Sequence, residues 1–242
     1  MKDFDPLRSF VGEAAEHNDD VPRGDEEETV ALLAELSRGR SALELAVGSG
    51  RIAIPLAAGG VAVDGIELSG DMISVLQRRP GGERVRVFPG DMTTVRTRQT
   101  YPLVFLVFNS IFNLLTQDDQ VRCFENAARH LSDDGVFLVE AAVPSAWIQG
   151  DQYVNAESVE VDHVVLDVCR YDPVTQILDE NHVHLGKAGV RLRPISCRLA
   201  WPAELDLMAR LAGLRLRQRW GGWLRVPFTA ASVRHVSLYS RL

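Results

Sequence analysis

Cysteine is scarce in this chain and nowhere paired. Cys123, Cys169 and Cys197 are odd in number, widely spaced and free of any C-x-x-C motif. That excludes a disulfide frame and a cysteine-based zinc site, and points to reduced thiols in a cytoplasmic protein. No apolar run is long enough to span a bilayer, and the opening MKDFDPLRSF has no apolar leader segment, so no membrane partner is expected. Internal repeats and low-complexity tracts are also missing. The 242 residues suit one large α/β domain with a small appended part.

Charge is present in quantity but unevenly placed. Residues 1–28 hold ten acids and three bases, residues 29–186 twenty-one and twelve, and residues 187–242 two and eleven. A basic C-terminal part can serve a phosphate-bearing partner. It can also face the acidic N-terminus across the fold, and this is favoured because its bases are spread through strand and helix patterns. A nucleic-acid partner is therefore disfavoured.

The organising stretch is SALELAVGSGRIAIPL, residues 41–56. Its apolar run reads as a buried strand, Gly48-Ser49-Gly50 as a turn, and Arg51 to Ala58 as a helix, the opening of a nucleotide-binding α/β unit. Further strands are expected at 61–68, 85–88, 103–108 and 136–143. Helices are expected at 25–37, 69–78 and 116–130. The alternation then gives way to three strand-like stretches, 158–171, 177–185 and 190–200, read as an antiparallel meander. A helix from Trp201 and two strands, 214–220 and 232–241, finish the chain. The expected organisation is an acidic N-terminal flap (1–28), an α/β core (29–150), an antiparallel β lid (151–200) and a C-terminal helix with the last two sheet strands (201–242).

Two ligands compete for the glycine turn. Gly48-Ser49-Gly50-Arg51-Ile52-Ala53 satisfies G-x-G-x-x-G/A, and Glu67 stands near the distance of a ribose-binding acid, as in NAD enzymes. Glu44, however, is an acid close to the end of the same strand. Beside a pyrophosphate at ~5 Å and an effective dielectric of ~20, each like-charge pair would cost roughly 3 kcal/mol before screening. S-adenosylmethionine has no phosphate and carries a sulfonium and an ammonium. Glu44, Glu67 and Asp91, at the ends of three successive strands, suit such a cation-bearing nucleoside better than a dinucleotide.

On these residues the chain resembles class I S-adenosylmethionine-dependent methyltransferases, closely over 29–143 and more loosely beyond. Glu44-Leu45-Ala46-Val47-Gly48-Ser49-Gly50 matches the family's E/D-x-G-x-G-x-G motif with Ala46 in place of the first glycine, a mild departure unless the backbone there needs positive φ. The resemblance implies a Rossmann-like seven-stranded sheet with the β-meander inserted as a lid. It implies that Glu67 holds the ribose hydroxyls, that Leu68 and Met72 flank the adenine, and that Asp91 and the Met92 amide read its edge. Asn109 and Ser110 would lie beside the methionyl group. Arg51 pairs either the cofactor's carboxylate or Glu44. S-adenosylhomocysteine would be the product.

The acceptor is less legible, because methyl transfer asks mainly for alignment and exclusion of water. The meander is the expected cover. His182 and His184, two apart on its second strand, are candidates for a base or an acceptor ligand. Asn113 stands where amino-sugar N-methyltransferases, which the chain resembles around Phe108-Asn109-Ser110-Ile111, often carry a histidine; it can orient an acceptor but not take a proton. Phe4 and Phe10 are expected to close over the site, and Trp147 and Tyr153, with Trp220 and Trp223, to line it. No metal is expected from these histidines, since no close acid or cysteine completes a ligand set. The function expected is transfer of a methyl group to nitrogen or oxygen of a small molecule in specialised metabolism. Rivals are an RNA or protein methyltransferase, a non-catalytic S-adenosylmethionine-binding module, and an NAD oxidoreductase. A homodimer is left open.

Overall fold

The computed structural model describes residues 1, 4–19 and 22–242. Helices α1 (Glu13–Glu16) and α2 (Glu26–Ser37) precede the first strand, β1 (Ser41–Leu45). Then come α3 (Ala53–Ala58), β2 (Ala62–Glu67), α4 (Gly70–Arg78), β3 (Arg86–Pro89), β4 (Tyr101–Leu106), α5 (Gln117–His130) and β5 (Leu131–Ala142). Four strands follow without a helix: β6 (Gln152–Val159), β7 (His163–Asp172), β8 (Ile177–Gly186) and β9 (Gly189–Arg198). Helix α6 (Pro202–Leu211) and strands β10 (Leu214–Trp220) and β11 (Arg234–Arg241) complete the chain.

Seven strands form one sheet in the order β10-β11-β5-β4-β1-β2-β3. Its β1–β5 members run parallel, and β11 joins β5 and β10 antiparallel. Local chemistry explains the boundaries. Glu26, Glu27 and Glu28 fill the first turn of α2, where the helix dipole favours acids. Ser69 caps α4 by accepting the Met72 N–H, and Thr116 caps α5 by accepting that of Asp119. Every residue of β4 is buried, as a central strand covered on both faces requires. Phe124, Phe137 and Tyr239 pack edge-on or tilted on one face, and Leu33, Leu56, Phe105 and Leu138 fill the other.

The inserted sheet has four strands, β6-β7-β8-β9, where three were expected. The stretch 158–171 is not one strand: the chain turns at 160–162, and Val161 is a fully exposed loop residue rather than part of a period-2 pattern. Strand β6 gives no buried-strand signal because its cavity-facing side runs through Tyr153, Asn155 and Glu157, where polar residues take the place of an apolar alternation. His182 and His184 therefore stand on the third strand of this sheet.

The uneven charge finds partners within the fold. Arg234 pairs with Asp25 and Arg191 with Glu13 at 3.5 Å, so basic C-terminal residues face acidic N-terminal ones, and Arg225 meets Glu35 of α2 at 2.5 Å. Arg219 of the edge strand β10 turns to Asp206 at 2.6 Å. Among the described residues no helix is long and apolar enough to cross a membrane.

Candidate functional site

A cavity of about 820 Å³ opens where β1, β2 and β4 end, walled by residues 6–19 and roofed by the β6–β9 sheet. Most residues singled out in the sequence line it: Glu44, Ala46, Gly48, Arg51, Glu67, Leu68, Met72, Asp91, Met92, Asn109, Ser110, Asn113, Phe10, Trp147, Tyr153 and His182. Gly50, Phe4 and His184 are not among its lining residues. Trp220 and Trp223 pack into the core on the α2–α3 face instead.

The floor is the turn after β1. Ala46 has φ +55°, followed by Gly48 at +57° and Gly50 at +83°. Alanine at the first motif position is thus not a mild departure. Its Cβ is held in the left-handed region, which costs about 1–2 kcal/mol that glycine would avoid. At Gly50 a Cβ would also come within 2.9 Å of the Ile54 side chain.

Three carboxylates meet at this floor with different surroundings. Glu67 accepts the Gly48 N–H and the Ser69 N–H, both at 2.8 Å; burial raises its pKa against these backbone donors. Asp91 accepts the Thr93 N–H at 2.7 Å, fixing its loop. Glu44 is 3% exposed, and its Oε2 is sealed from solvent without a hydrogen-bond partner. Burial, then the charges of Glu67 and Asp19, push its carboxyl well above the usual range against a single N–H from Ala53.

The loop after β4 is held in unusual backbone. Phe108 and Asn109 are consecutive residues with φ +61°. Glu140 Oε2 accepts the Phe108 N–H at 2.6 Å, and Asn109 Oδ1 accepts that of Ala142 at 2.6 Å. Arg23 pairs with Glu140 at 2.8 Å and lies 4.0 Å over the Phe108 ring, with Arg51 also over that ring at 4.9 Å. Arg51 meets Asp19, with Nε to Oδ1 at 2.9 Å, a third outcome beside the two expected. Ser110 donates to the Val107 carbonyl, so both Asn109 and Ser110 spend side-chain bonds on shaping the loop.

The N-terminal segment is laced to floor and roof. Asp19 accepts from Ser49, Arg51 and Arg79; although burial opposes it, these donors hold its carboxyl below the ordinary value. Ser69 donates to the Phe10 carbonyl at 2.6 Å, and Ser9 to the Pro194 carbonyl of β9 at 2.8 Å. On the roof, His182 Nδ1 lies 2.5 Å from Asp167 and 3.2 Å from Glu157. Burial works against its protonation, but Asp167, Glu180 and Glu157 overcome this and raise it to about 9. Glu180 is itself raised by burial. Tyr153 donates to the Trp147 carbonyl at 2.6 Å, and Trp147 stands edge-on to Phe112 at 5.8 Å. His184 stacks on His163 at 5.6 Å, and burial and then Arg193 and Arg191 lower it.

The expectation that no acid accompanies these histidines is corrected: donor atoms of Glu157, Asp167 and His182 lie within 4.8 Å of one another. Strand register across β6, β7 and β8 assembles them, which linear spacing does not show. Asp19, Arg23, Glu157, Asp167 and Glu180 gave no signal in the sequence. Glu140 did: an acid inside VFLVEAA carries the same mark as Glu44 in its strand.

The floor discriminates between cofactors. A pyrophosphate beside Glu44 would add anions to a carboxylate that already lacks a partner, whereas an ammonium or sulfonium would supply what its Oε2 is missing. The donor set therefore fits S-adenosylmethionine.

Comparison with known proteins agrees. A methyltransferase-domain family model matches residues 42–135. The structure of the CcbJ methyltransferase from Streptomyces caelestis superposes with a TM-score of 0.92 at 34% identity, covering 98% of this chain and 99% of that one. The cypemycin N-terminal methyltransferase of a Streptomyces species is 25% identical over 201 residues, 80% of each protein. A dTDP-3-amino-3,6-dideoxy-alpha-D-glucopyranose N,N-dimethyltransferase of Streptomyces fradiae is 33% identical over 164 residues, 64% of this chain and 63% of the relative. With its motif, sheet order and near full-length likeness in agreement, the chain belongs to the class I S-adenosylmethionine-dependent methyltransferase family.

Proposed function

We propose that the acceptor atom of this small-molecule methyltransferase is an amine nitrogen on a polar molecule held under the β6–β9 roof. The observation that carries this is a carboxylate cluster on the roof: Glu157, Asp167 and Glu180 face the same cavity as the cofactor floor, with the cations His182, Arg191 and Arg193 beside them. Such a roof draws an ammonium group and gives a neutral hydroxyl no comparable advantage. Two relatives whose names specify the acceptor atom, the cypemycin and amino-sugar enzymes, are N-methyltransferases.

Bound S-adenosylmethionine supplies an activated methyl group and leaves as S-adenosylhomocysteine. The protein's residues align the acceptor and manage its proton. An ammonium has no lone pair and must lose a proton before its nitrogen can attack carbon. His182, raised to about 9, already holds its proton near neutral pH and cannot be the group that receives another. Glu180, raised by burial, is the better proton acceptor. His182 instead bridges Asp167 and Glu157 and keeps the roof's charges in register. Asn113 and Tyr153 orient the acceptor, and residues 6–19 close out water. Glu67, Asp91 and the Met92 amide hold the nucleoside, while Glu44 faces the cationic methionyl end.

The test incubates the full chain and S-adenosylmethionine with amino sugars, peptide amines and their hydroxyl analogues, followed by mass spectrometry. Amines should gain methyl groups and their hydroxyl analogues should not. Glu180→Gln should lower kcat on amines by roughly 10²-fold with S-adenosylmethionine affinity kept. Preferred methylation of hydroxyls, or an unaltered rate in the variant, would refute the proposal.

A further inference from the structure

Just past β4, two consecutive non-glycine residues are held in left-handed backbone. Phe108 and Asn109 both have φ +61°, a conformation that costs energy for any residue with a Cβ and persists only where surrounding contacts fix it. Those contacts come from β5, which outruns its neighbour. The last pair between the two strands is Leu106 with Val139. Beyond it Glu140 accepts the Phe108 N–H and Asn109 accepts the Ala142 N–H, so side chains take over where the backbone ladder stops. The bend turns the Phe108 ring, 45% exposed, to the cavity.

Charge supports this corner from behind. Glu140 Oε1 accepts from Arg23 at 2.8 Å, Arg23 also pairs with Asp25 at 3.0 Å, and Asp25 pairs with Arg234 of β11. The Arg23 guanidinium covers the Phe108 ring as well, 4.0 Å from its centre. Arg23, Asp25 and Glu140 are not among the cavity's lining residues. Their influence on the site runs through Phe108 and Asn109.

We infer that Arg23 and Glu140 are positioning residues for the methionyl end of S-adenosylmethionine, because they keep the Phe108–Asn109 corner formed before the cofactor arrives. Sheet order selects that end. β4 lies on one side of β1, while β2, which carries Glu67, and β3, which leads to Asp91, lie on the other. The corner therefore meets the cavity beside Glu44 and Arg51, whose guanidinium stands 4.9 Å over the Phe108 ring, and away from the nucleoside acids. A corner formed in advance removes an ordering cost from binding. If it were populated only about a tenth of the time, apparent affinity would fall about tenfold. The inference concerns the cofactor and holds whichever atom accepts the methyl group.

The test is isothermal titration calorimetry of the full chain with two probes. S-adenosylhomocysteine carries the amino-acid part, and 5′-methylthioadenosine has the same nucleoside and sulfur without it. Arg23→Met combined with Glu140→Met removes the pair without leaving one buried charge alone. This variant should bind S-adenosylhomocysteine about tenfold more weakly and keep 5′-methylthioadenosine within about twofold of wild type. If it fails to fold, Glu140→Gln decides: it keeps the shape, takes away the charge that holds Arg23, and should weaken S-adenosylhomocysteine alone, by about threefold or more. Equal weakening of both probes would show that the pair only supports the fold. Unchanged binding of both would show that the corner holds itself. Either result overturns the inference.

Discussion

Replacing Glu44 by glutamine should move stability and cofactor affinity in opposite directions. In the ligand-free protein the carboxylate is sealed from solvent, with one N–H from Ala53 and nothing on Oε2. Its pKa is raised above the ordinary 4.5, so the native state keeps a proton that the unfolded chain gives up. The group's favourable contribution is full below that ordinary value and is lost as pH rises through the folded one. Ionising Glu44 in the empty site would leave a buried charge unsatisfied, which costs about 1–3 kcal/mol and opposes folding as pH rises. Glutamine keeps the shape and the Ala53 bond without that charge. Ligand-free Glu44→Gln should melt higher at neutral pH, by ~2–4 °C per kcal/mol, with the gain fading toward acid. Cofactor binding loses a charged partner worth about 1.5–3 kcal/mol, a Kd increase of roughly tenfold to a hundredfold. Differential scanning fluorimetry across pH measures the first effect and isothermal titration calorimetry the second. A variant that melts lower and binds S-adenosylmethionine as tightly as wild type would show Glu44 to be a structural acid and refute the reasoning.

Ala46→Gly should raise stability by about 1 kcal/mol, since relief of the left-handed strain outweighs the added freedom of the unfolded chain; thermal melts check it, and a loss of stability would contradict the strained geometry. His182→Gln should lower the melting temperature by several degrees at slightly acid pH through loss of ion pairs worth about 1–2 kcal/mol. Because the folded pKa is raised to about 9, that stabilisation is full below the free imidazole's range and disappears as pH rises through about 9. Melting curves of both proteins from acid to alkaline pH should therefore converge, and a constant gap would reduce His182 to a packing residue.

The fold was legible where local signals and burial agree. The apolar runs at 42–47 and 103–108 mark the central strands β1 and β4, and Ser69 and Thr116 marked helix starts because their caps act within three residues. Glu44, Glu67 and Asp91 were readable because each interrupts or ends an apolar strand. Legibility failed where contacts depend on register. No spacing rule brings Asp167 to His182, because the pair is made by two strands meeting antiparallel. Strand β6 was missed for a related reason: its cavity-facing residues are polar by function, so the pattern that marks a buried strand is absent. Ala46 shows the limit of a motif, since the letters tolerate alanine while the dihedral of +55° resists it.

The three buried acids at strand ends are best distinguished by what balances them. Glu67 is met by two backbone N–H groups, so its negative charge is stabilised before any ligand arrives. Glu140, 2% exposed, is met by Arg23 and the Phe108 N–H, and its charge is spent on holding the loop after β4. Glu44 has one N–H and two acidic neighbours. Of these three, only Glu44 would on ionising have a charge that its own chain leaves unbalanced, and a cation is the chemistry that balances it. A dinucleotide-binding floor would be better served by an apolar residue there. The acid that looked out of place in strand β1 is therefore the floor residue we propose to select the methyl donor, a role its unpartnered Oε2 supports.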